Sequence, residues 1–369
     1  MNQLFRWDQT GLFLLALAAG ILPFAVPEVC AAALREGLTL CSGPLLLSLF
    51  PFLVVSRLLV QCPESDLLAL PFRLEAWGIG IRTPCAARVL CIGFLGGFAP
   101  AASAAAQAVR TGQLTAEEAD ALLPACICSG PSFVVLTVGQ SLLGSAELGV
   151  LLFASQITAN YLTAALLNRF AGVRSVKPRS AAPASPAPPR LDEILADAAI
   201  TYCKLCGFIL FFRMLAAGAG ALLPAGAGTL CAVLLEVCSG CDLASRTGRW
   251  GSLLCCAALS VQGLSVLLQV RTICPPEMTL RPLYRSRLLH LPLSLALFYL
   301  LLPGGEADAF STLPARVLLM RRVPPDCALL VFAVCCMAAC TLRSGIRQVE
   351  QKQMARNAGG CCINSKTLL

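Results

Sequence analysis

The side chains able to handle a solute are few, and they stand where apolar sequence is interrupted. Glu236 lies in an apolar run just before Cys-Ser-Gly at 238–240, while Gln262 and Gln269 flank Gly263 and Ser265. An ionisable group at membrane depth is costly and usually faces a cavity or a partner. Glu236 is therefore a candidate for solute or proton coupling, against the plainer reading of a helix-end residue that reaches the interface. Gln262, Gln269 and Ser265 offer amide and hydroxyl groups to a solute, but buried glutamines also hold membrane helices together. Ser129, Gly130 and Pro131 can present backbone N–H groups at the start of a following helix, where the dipole favours an anion. Helix initiation alone also accounts for them. Arg57 and Lys204, inside apolar runs, supply positive charge for an anionic solute or snorkel to the interface. Gln156 and Asn160 share one helical face at i, i+4 spacing and read as packing groups.

The frame that must position these residues is a membrane one. Of 369 residues 57% are hydrophobic and only 13% charged, and mean hydropathy is +0.77, whereas soluble domains carry about 25% charged residues. Apolar runs reach the length of about 20 residues that a helix needs to cross a bilayer, and the alternation of a membrane β-barrel is missing. The expected fold is an all-α polytopic membrane protein in two halves with broken or re-entrant helices, open to an inverted repeat. The net charge of +8 does not indicate nucleic acid, because the basic residues are scattered through loops without interleaved aromatics. Basic clusters at Arg169, Arg174, Lys177, Arg179 and Arg190, and at Arg343, Arg347, Lys352 and Arg356, put both segments on the cytoplasmic side. Arg316, Arg321 and Arg322 argue the other way for their own loop.

In chain order, residues 1–30 hold a retained N-terminal transmembrane helix, and 31–172 form a first half. Its 31–40 stretch suits an interfacial or re-entrant helix. Pro44 and Pro51 then interrupt an apolar run and mark a broken helix, and 61–88 reads as a polar loop. Gly-Phe-Leu-Gly-Gly-Phe-Ala-Pro at 93–100, with Gly96, Gly97 and Pro100, is a second break. Thr115 and Glu118 form a capping box that starts a helix, Cys-Ile-Cys-Ser-Gly-Pro at 126–131 is a third break, and 149–170 spans. The Pro/Ala-rich basic stretch 173–190 has linker composition. Residues 191–287 form a second half with breaks at 234–242 and 259–269 and a polar loop over 271–287. Two plain spanning helices follow within 288–342, and 343–369 is a polar cytoplasmic tail. The triplet Cys-Ser-Gly recurs at Cys41, Cys128 and Cys238. Interrupted hydrophobic segments in corresponding places of two halves point to a solute site.

Twenty-one cysteines invite a metal or redox reading, and Cys203/Cys206 with Cys238/Cys241 has the paired spacing of a zinc site. The remaining cysteines stand where Ala or Ser would fit, and free Cys behaves as a small apolar residue, so no metal or other cofactor is expected. His290 opens a plain helix and reads as interfacial. No Ser/His/Asp set, Walker loop or Rossmann fingerprint is present, so neither catalytic residues nor an enzyme are expected.

Several of these stretches together resemble the YlbJ-type sporulation integral membrane proteins with a nucleoside-recognition (Gate) domain. They are Glu36-Gly-Leu, the run from Pro44 to Leu59, Gly96-Gly-Phe, the run from Glu117 to Leu123 leading into 126–131, Leu235-Glu236, and 263–266 with Gln269. The resemblance covers roughly 31–302. The chain departs from the family at Ile127 and Cys128, where the family has asparagines, and at Leu267 and Leu268, where it has His or Met. The resemblance implies a transporter or permease of a small, anionic, dipicolinate-like metabolite in the bacterial inner membrane, including the membranes around the forespore. A nucleoside-handling Gate protein and a structural protein of spore-forming membranes are the alternatives. The expected partners are a small-molecule solute and the lipid bilayer, with no nucleic acid, and self-association as a homo-oligomer is left open.

Overall fold

The computed structural model describes residues 9–61, 66–172 and 191–302. The linker 173–190, the helix expected within 326–342, the tail and the Arg316, Arg321, Arg322 cluster lie outside the described residues. Among these residues every regular element is helical. The first half holds α1 (Gln9–Ala25), α2 (Pro27–Ser42), α3 (Pro44–Gln61), α4 (Phe72–Gly78), α5 (Pro84–Gly96), α6 (Phe98–Arg110), α7 (Ala116–Cys126), a wide π-type helix (Ser132–Leu142) and α8 (Ala146–Ala171). The second holds α9 (Leu191–Leu222), α10 (Ala225–Leu235), α11 (Val237–Ser245), α12 (Gly251–Val261), α13 (Gly263–Ile273) and α14 (Arg281–Leu301).

The side-chain distribution is the reverse of a soluble protein's. Helix α8 buries Ser155, Gln156, Asn160, Thr163 and Asn168 while exposing Val150, Leu162, Leu166 and Phe170. In α14, Ser286, Arg287, His290 and Ser294 are buried and Leu288, Leu289 and Leu300 are exposed. Lipid imposes this order, because apolar side chains dissolve in it and polar ones must find partners inside. Helices α8 and α9 and the segment Gly248–Ile273 are each long and apolar enough to cross a bilayer, and α1 with α2, bent by 108°, makes a fourth candidate. The chain is an all-α polytopic membrane protein.

The two halves repeat one plan in opposite directions. Helices α5 and α6 fold back on each other, bringing Gly93 against Ala101. The start of α5 and the start of α7 meet where Thr83 Oγ1 donates to Glu118 Oε1 at 2.7 Å. The α5–α6 pair is therefore a re-entrant hairpin that enters and leaves at the end of the molecule nearest the linker. Helix α7 and the π-type helix then cross as one interrupted span, antiparallel to α8: Asn168 bonds the Ala121 carbonyl at one end, and Gly149 abuts Val135 and Gly139 at the other. In the second half α10 and α11 fold back with Gly240 against Val233. Helices α12 and α13 make the interrupted span, and α14 runs antiparallel to α8. Because α9 carries the chain across before this hairpin begins, the second hairpin enters from the opposite end. An arrangement of this kind brings each hairpin tip against an interruption in a neighbouring span.

Local sequence explains the ends. Thr115 Oγ1 accepts from the Glu118 N–H at 3.1 Å while Glu118 Oε2 accepts from the Thr115 N–H at 3.2 Å, which is the capping box expected there. Thr115→Ala is expected to lower stability by about 1 kcal/mol, read as a small drop in the thermal midpoint in detergent. Asp120, also buried, accepts from Thr279 N and Oγ1 and from Leu280 N. It thereby ties the 274–280 turn to α7 and fixes where α14 begins.

Four expectations need correction. Pro44 is the first residue of α3, and Pro51 lies inside α3 without ending it. The interruption in that run is at Gly43, because a proline suits a helix's first turn and deeper in the helix removes one hydrogen bond without necessarily stopping it. The stretch 61–88 is not simply a polar loop: it contains α4 and the start of α5, with Arg88 buried, donating to the Val60 carbonyl and paired with Asp66. Residues 271–287 likewise belong mostly to α13 and α14, with only 274–280 outside a helix. The helix expected to be plain from 288 begins at Arg281 and is polar on its inner face.

Candidate functional site

The four interruptions meet in two crossings, one in each half. At the first, the tip of the α5–α6 hairpin lies across the interruption between α7 and the π-type helix. Gly97 has φ 81° and ψ −163°, and a Cβ on it would sit 2.6 Å from the Gly130 nitrogen and 3.2 Å from the Cys128 carbonyl oxygen. Only glycine takes that backbone conformation readily, and only glycine allows backbones to approach so closely. At the second, the tip of the α10–α11 hairpin lies across the interruption between α12 and α13. Gln262 and Gly263 both have positive φ, 66° and 70°, and a Cβ on Gly263 would lie 3.0 Å from the Glu236 nitrogen and the Leu235 carbonyl.

An interrupted helix in a membrane leaves N–H and C=O groups that no water can satisfy, and the polar residues predicted from sequence do much of that work. Glu236 is 2% exposed, and its two carboxylate oxygens accept from Cys238 N at 2.8 Å and Ser239 N at 2.7 Å, capping α11. The Gln262 backbone N–H returns to the Ala258 carbonyl at 3.0 Å, and its Nε2 donates to the Leu259 carbonyl at 2.7 Å, closing the end of α12. Gln269 Nε2 donates to Ser265 Oγ at 2.9 Å. The Oε1 atoms of Gln262 and Gln269 are buried with no hydrogen-bond partner among the described residues. Ser129, Gly130 and Pro131 form the interruption before the π-type helix, and the Gly130 carbonyl accepts from Phe133 and Val134.

Between the two crossings lies a cluster that the sequence reading missed. Arg287 is 8% exposed. Its Nη2 donates to Asn160 Oδ1 at 3.2 Å, and its Nη1 lies 3.5 Å from the Ser260 carbonyl, another group freed where α12 ends. Asn160 in turn donates from Nδ2 to the Ile127 carbonyl at the first interruption, 3.3 Å away. One guanidinium thus connects the first crossing, through Asn160, to the second, through Ser260. Alongside it Gln156 Nε2 donates to Ser260 Oγ at 3.0 Å and to the Cys256 carbonyl at 3.2 Å. Ser260 and Ser294 share a hydrogen bond, and His290 Nε2 meets the Gln156 carbonyl at 3.2 Å. His290 is wholly buried, not interfacial, and its Nδ1 has no partner among the described residues. Among the described residues no carboxylate pairs with Arg287, so a buried positive charge is met only by neutral acceptors. Gln156 and Asn160, read as packing groups, are the hydrogen-bonding partners on α8. Arg287, His290 and Ser294 follow i, i+3, i+7 spacing, the signal that would have put them on one inward face.

Arg57 and Lys204 lie away from the crossings, lining a cavity of about 170 Å³ near the start of α9. Of the paired cysteines, Cys203 is exposed and Cys241 buried, and no three potential metal ligands gather among the described residues. No family model matches the chain, and no curated protein or solved structure shows significant similarity to it.

Proposed function

We propose that this membrane protein is a permease for a small anionic solute, and that Arg287 supplies the countercharge where the two crossings meet. The observation that supports this most directly is the unpaired guanidinium. A charge buried without an opposite partner is expensive, and an anionic solute passing through mid-depth offsets that expense while the Asn160 and Ser260 acceptors hold the side chain in place. The inverted plan of the two halves suits alternating access around a fixed site. The solute class is then a carboxylate-bearing metabolite of the dipicolinate kind, and the resemblance to sporulation membrane proteins supports a bacterial inner membrane or the membranes around a forespore as its location.

One observation favours a different reading, in which the chain is a structural protein of such membranes. The broken helix ends are largely satisfied by the protein itself through Glu236, Gln262 and Asn160. Uptake by proteoliposomes separates the two. Wild-type protein is expected to accumulate an aromatic dicarboxylate, and Arg287→Gln to lower the initial rate at least about tenfold, the loss of one charge-assisted hydrogen bond. Equal rates in both would remove Arg287 from the site. Wild-type protein inert toward every dicarboxylate tried would favour the structural reading.

A further inference from the structure

The cavity at the linker end is a second positively charged place, separate from Arg287. It lies where α3, α6, α9 and α13 come together. Arg57, Arg110 and Lys204 bring three positive charges to its wall, and Asp197 brings one negative charge. The hydroxyls of Ser103, Thr201 and Thr272 complete its polar lining. Arg57 is 9% exposed, with Nη1 on Asp197 Oδ2 at 2.5 Å and Nη2 3.5 Å from Thr201 Oγ1. Its Nε is buried without a hydrogen-bond partner among the described residues. Among the described residues Arg110 reaches only the Ile273 carbonyl, at 3.4 Å, and Lys204 is exposed. Two positive charges are thus left over beside a buried, unsatisfied N–H donor. Along α6 the lining runs from Ser103 to Arg110, about 9 to 20 Å from the hairpin tip at 1.5 Å rise per residue.

The geometry points to an oxyanion site in this cavity, one that takes a phosphate or carboxylate group. Arg110 and Lys204 supply the uncompensated charge. Arg57, held by Asp197 and Thr201, is the buried anchor, and a planar guanidinium suits oxyanion recognition better than an ammonium does. The group can arrive on a soluble molecule or on the headgroup of an anionic lipid, because the basic linker assigns this end to the cytoplasmic face, where anionic lipid attracts basic residues.

The test uses the full chain in detergent, titrated with inorganic phosphate against chloride at constant ionic strength. In parallel, native mass spectrometry examines protein taken from nanodiscs containing phosphatidylglycerol or phosphatidylcholine. Saturable phosphate binding is expected, weakened at least about tenfold in the Arg110→Gln/Lys204→Gln double variant, since charged hydrogen bonds are worth a factor of that order. Both residues of the double variant are exposed, so folding should survive, and the thermal midpoint checks that it does. If phosphate does not bind but phosphatidylglycerol is retained by the wild type and lost from the double variant, the oxyanion belongs to lipid and the site stands. If the double variant matches the wild type toward both, the proposal is wrong. The measurement reads binding, not transport, so it stands or falls independently of the permease reading.

Discussion

Gly97→Ala is expected to remove about 3–5 kcal/mol of stability, a large part of the roughly 5–15 kcal/mol that holds a native protein together. Two causes act on the same atom. The backbone at φ 81°, ψ −163° belongs to a region that residues with a Cβ enter only at about 1–3 kcal/mol. The added methyl would also sit 2.6 Å from the Gly130 nitrogen, a backbone atom that cannot rotate away, and overpacking of a tight contact adds about 1–3 kcal/mol. The hairpin tip must therefore lift off the interruption it crosses. The readout is the thermal midpoint of the detergent-purified protein, or failure to recover monodisperse protein at all. Gly112→Ala is the control. It also has positive φ, 70°, but open space where the Cβ would go, so only the conformational part applies, about 1 kcal/mol. Equal small losses in the two variants would mean that the hairpin tip and the interruption do not touch in the working protein.

The crossings were legible in part because their causes are local. Glycine at 96, 97, 130 and 263 and proline at 100 and 131 announce places where a helix cannot continue, and the Thr115–Glu118 pair announces where one starts. Which interruption faces which was not legible. The contact of Gly97 with Gly130 joins residues 33 apart in sequence through the geometry of a re-entrant hairpin, and no local pattern encodes it. The Arg287 cluster was missed for a different reason. Three arginines in seven residues, at 281, 285 and 287, read as a loop when charge is taken to mark the membrane surface. Its partners Asn160, Gln156 and Ser260 lie on two other helices, so hydropathy along one stretch hid what three helices build together. Arg88 escaped notice in the same way, since its partner carbonyl on Val60 lies 28 positions away. The prolines at 44 and 51 misled in the opposite direction, because a composition signal for breakage does not say whether the helix can absorb the residue.

The three Cys-Ser-Gly triplets show how much of the pattern was architecture. Cys41 to Gly43 ends α2 against α3, Cys128 to Gly130 forms the first crossing, and Cys238 to Gly240 opens α11 just past the second. Small residues recur at these points because chains approach closely there. The cysteines among them are buried or half-buried and pack as small apolar residues do.

Glu236 is the residue on which function and architecture give different expectations, and substitution separates them. With both carboxylate oxygens engaged by the N–H groups of Cys238 and Ser239, Glu236→Ala leaves two donors, one buried and one half-buried, without partners at the hairpin tip. Each orphan donor is worth about 1–3 kcal/mol, so the variant should lose about 3–5 kcal/mol. Glu236→Gln keeps the shape and one oxygen acceptor but turns an NH₂ group toward one of the donors, so a loss of about 1–3 kcal/mol is expected. The order Ala worse than Gln worse than wild type, read from thermal midpoints, is the signature of a cap, because it follows the number of N–H groups left unmet. A residue whose work was instead to carry a proton or greet a solute would leave all three midpoints together and alter uptake alone. Its counterpart at the first hairpin tip, Gly97, has no side chain to offer. The two tips therefore hold their interruptions differently, the first by close backbone packing and the second by a carboxylate that closes the helix it precedes. A permease that moves by rocking one half against the other would then pivot on two unlike contacts, and Glu236→Gln should loosen the second without disturbing the first.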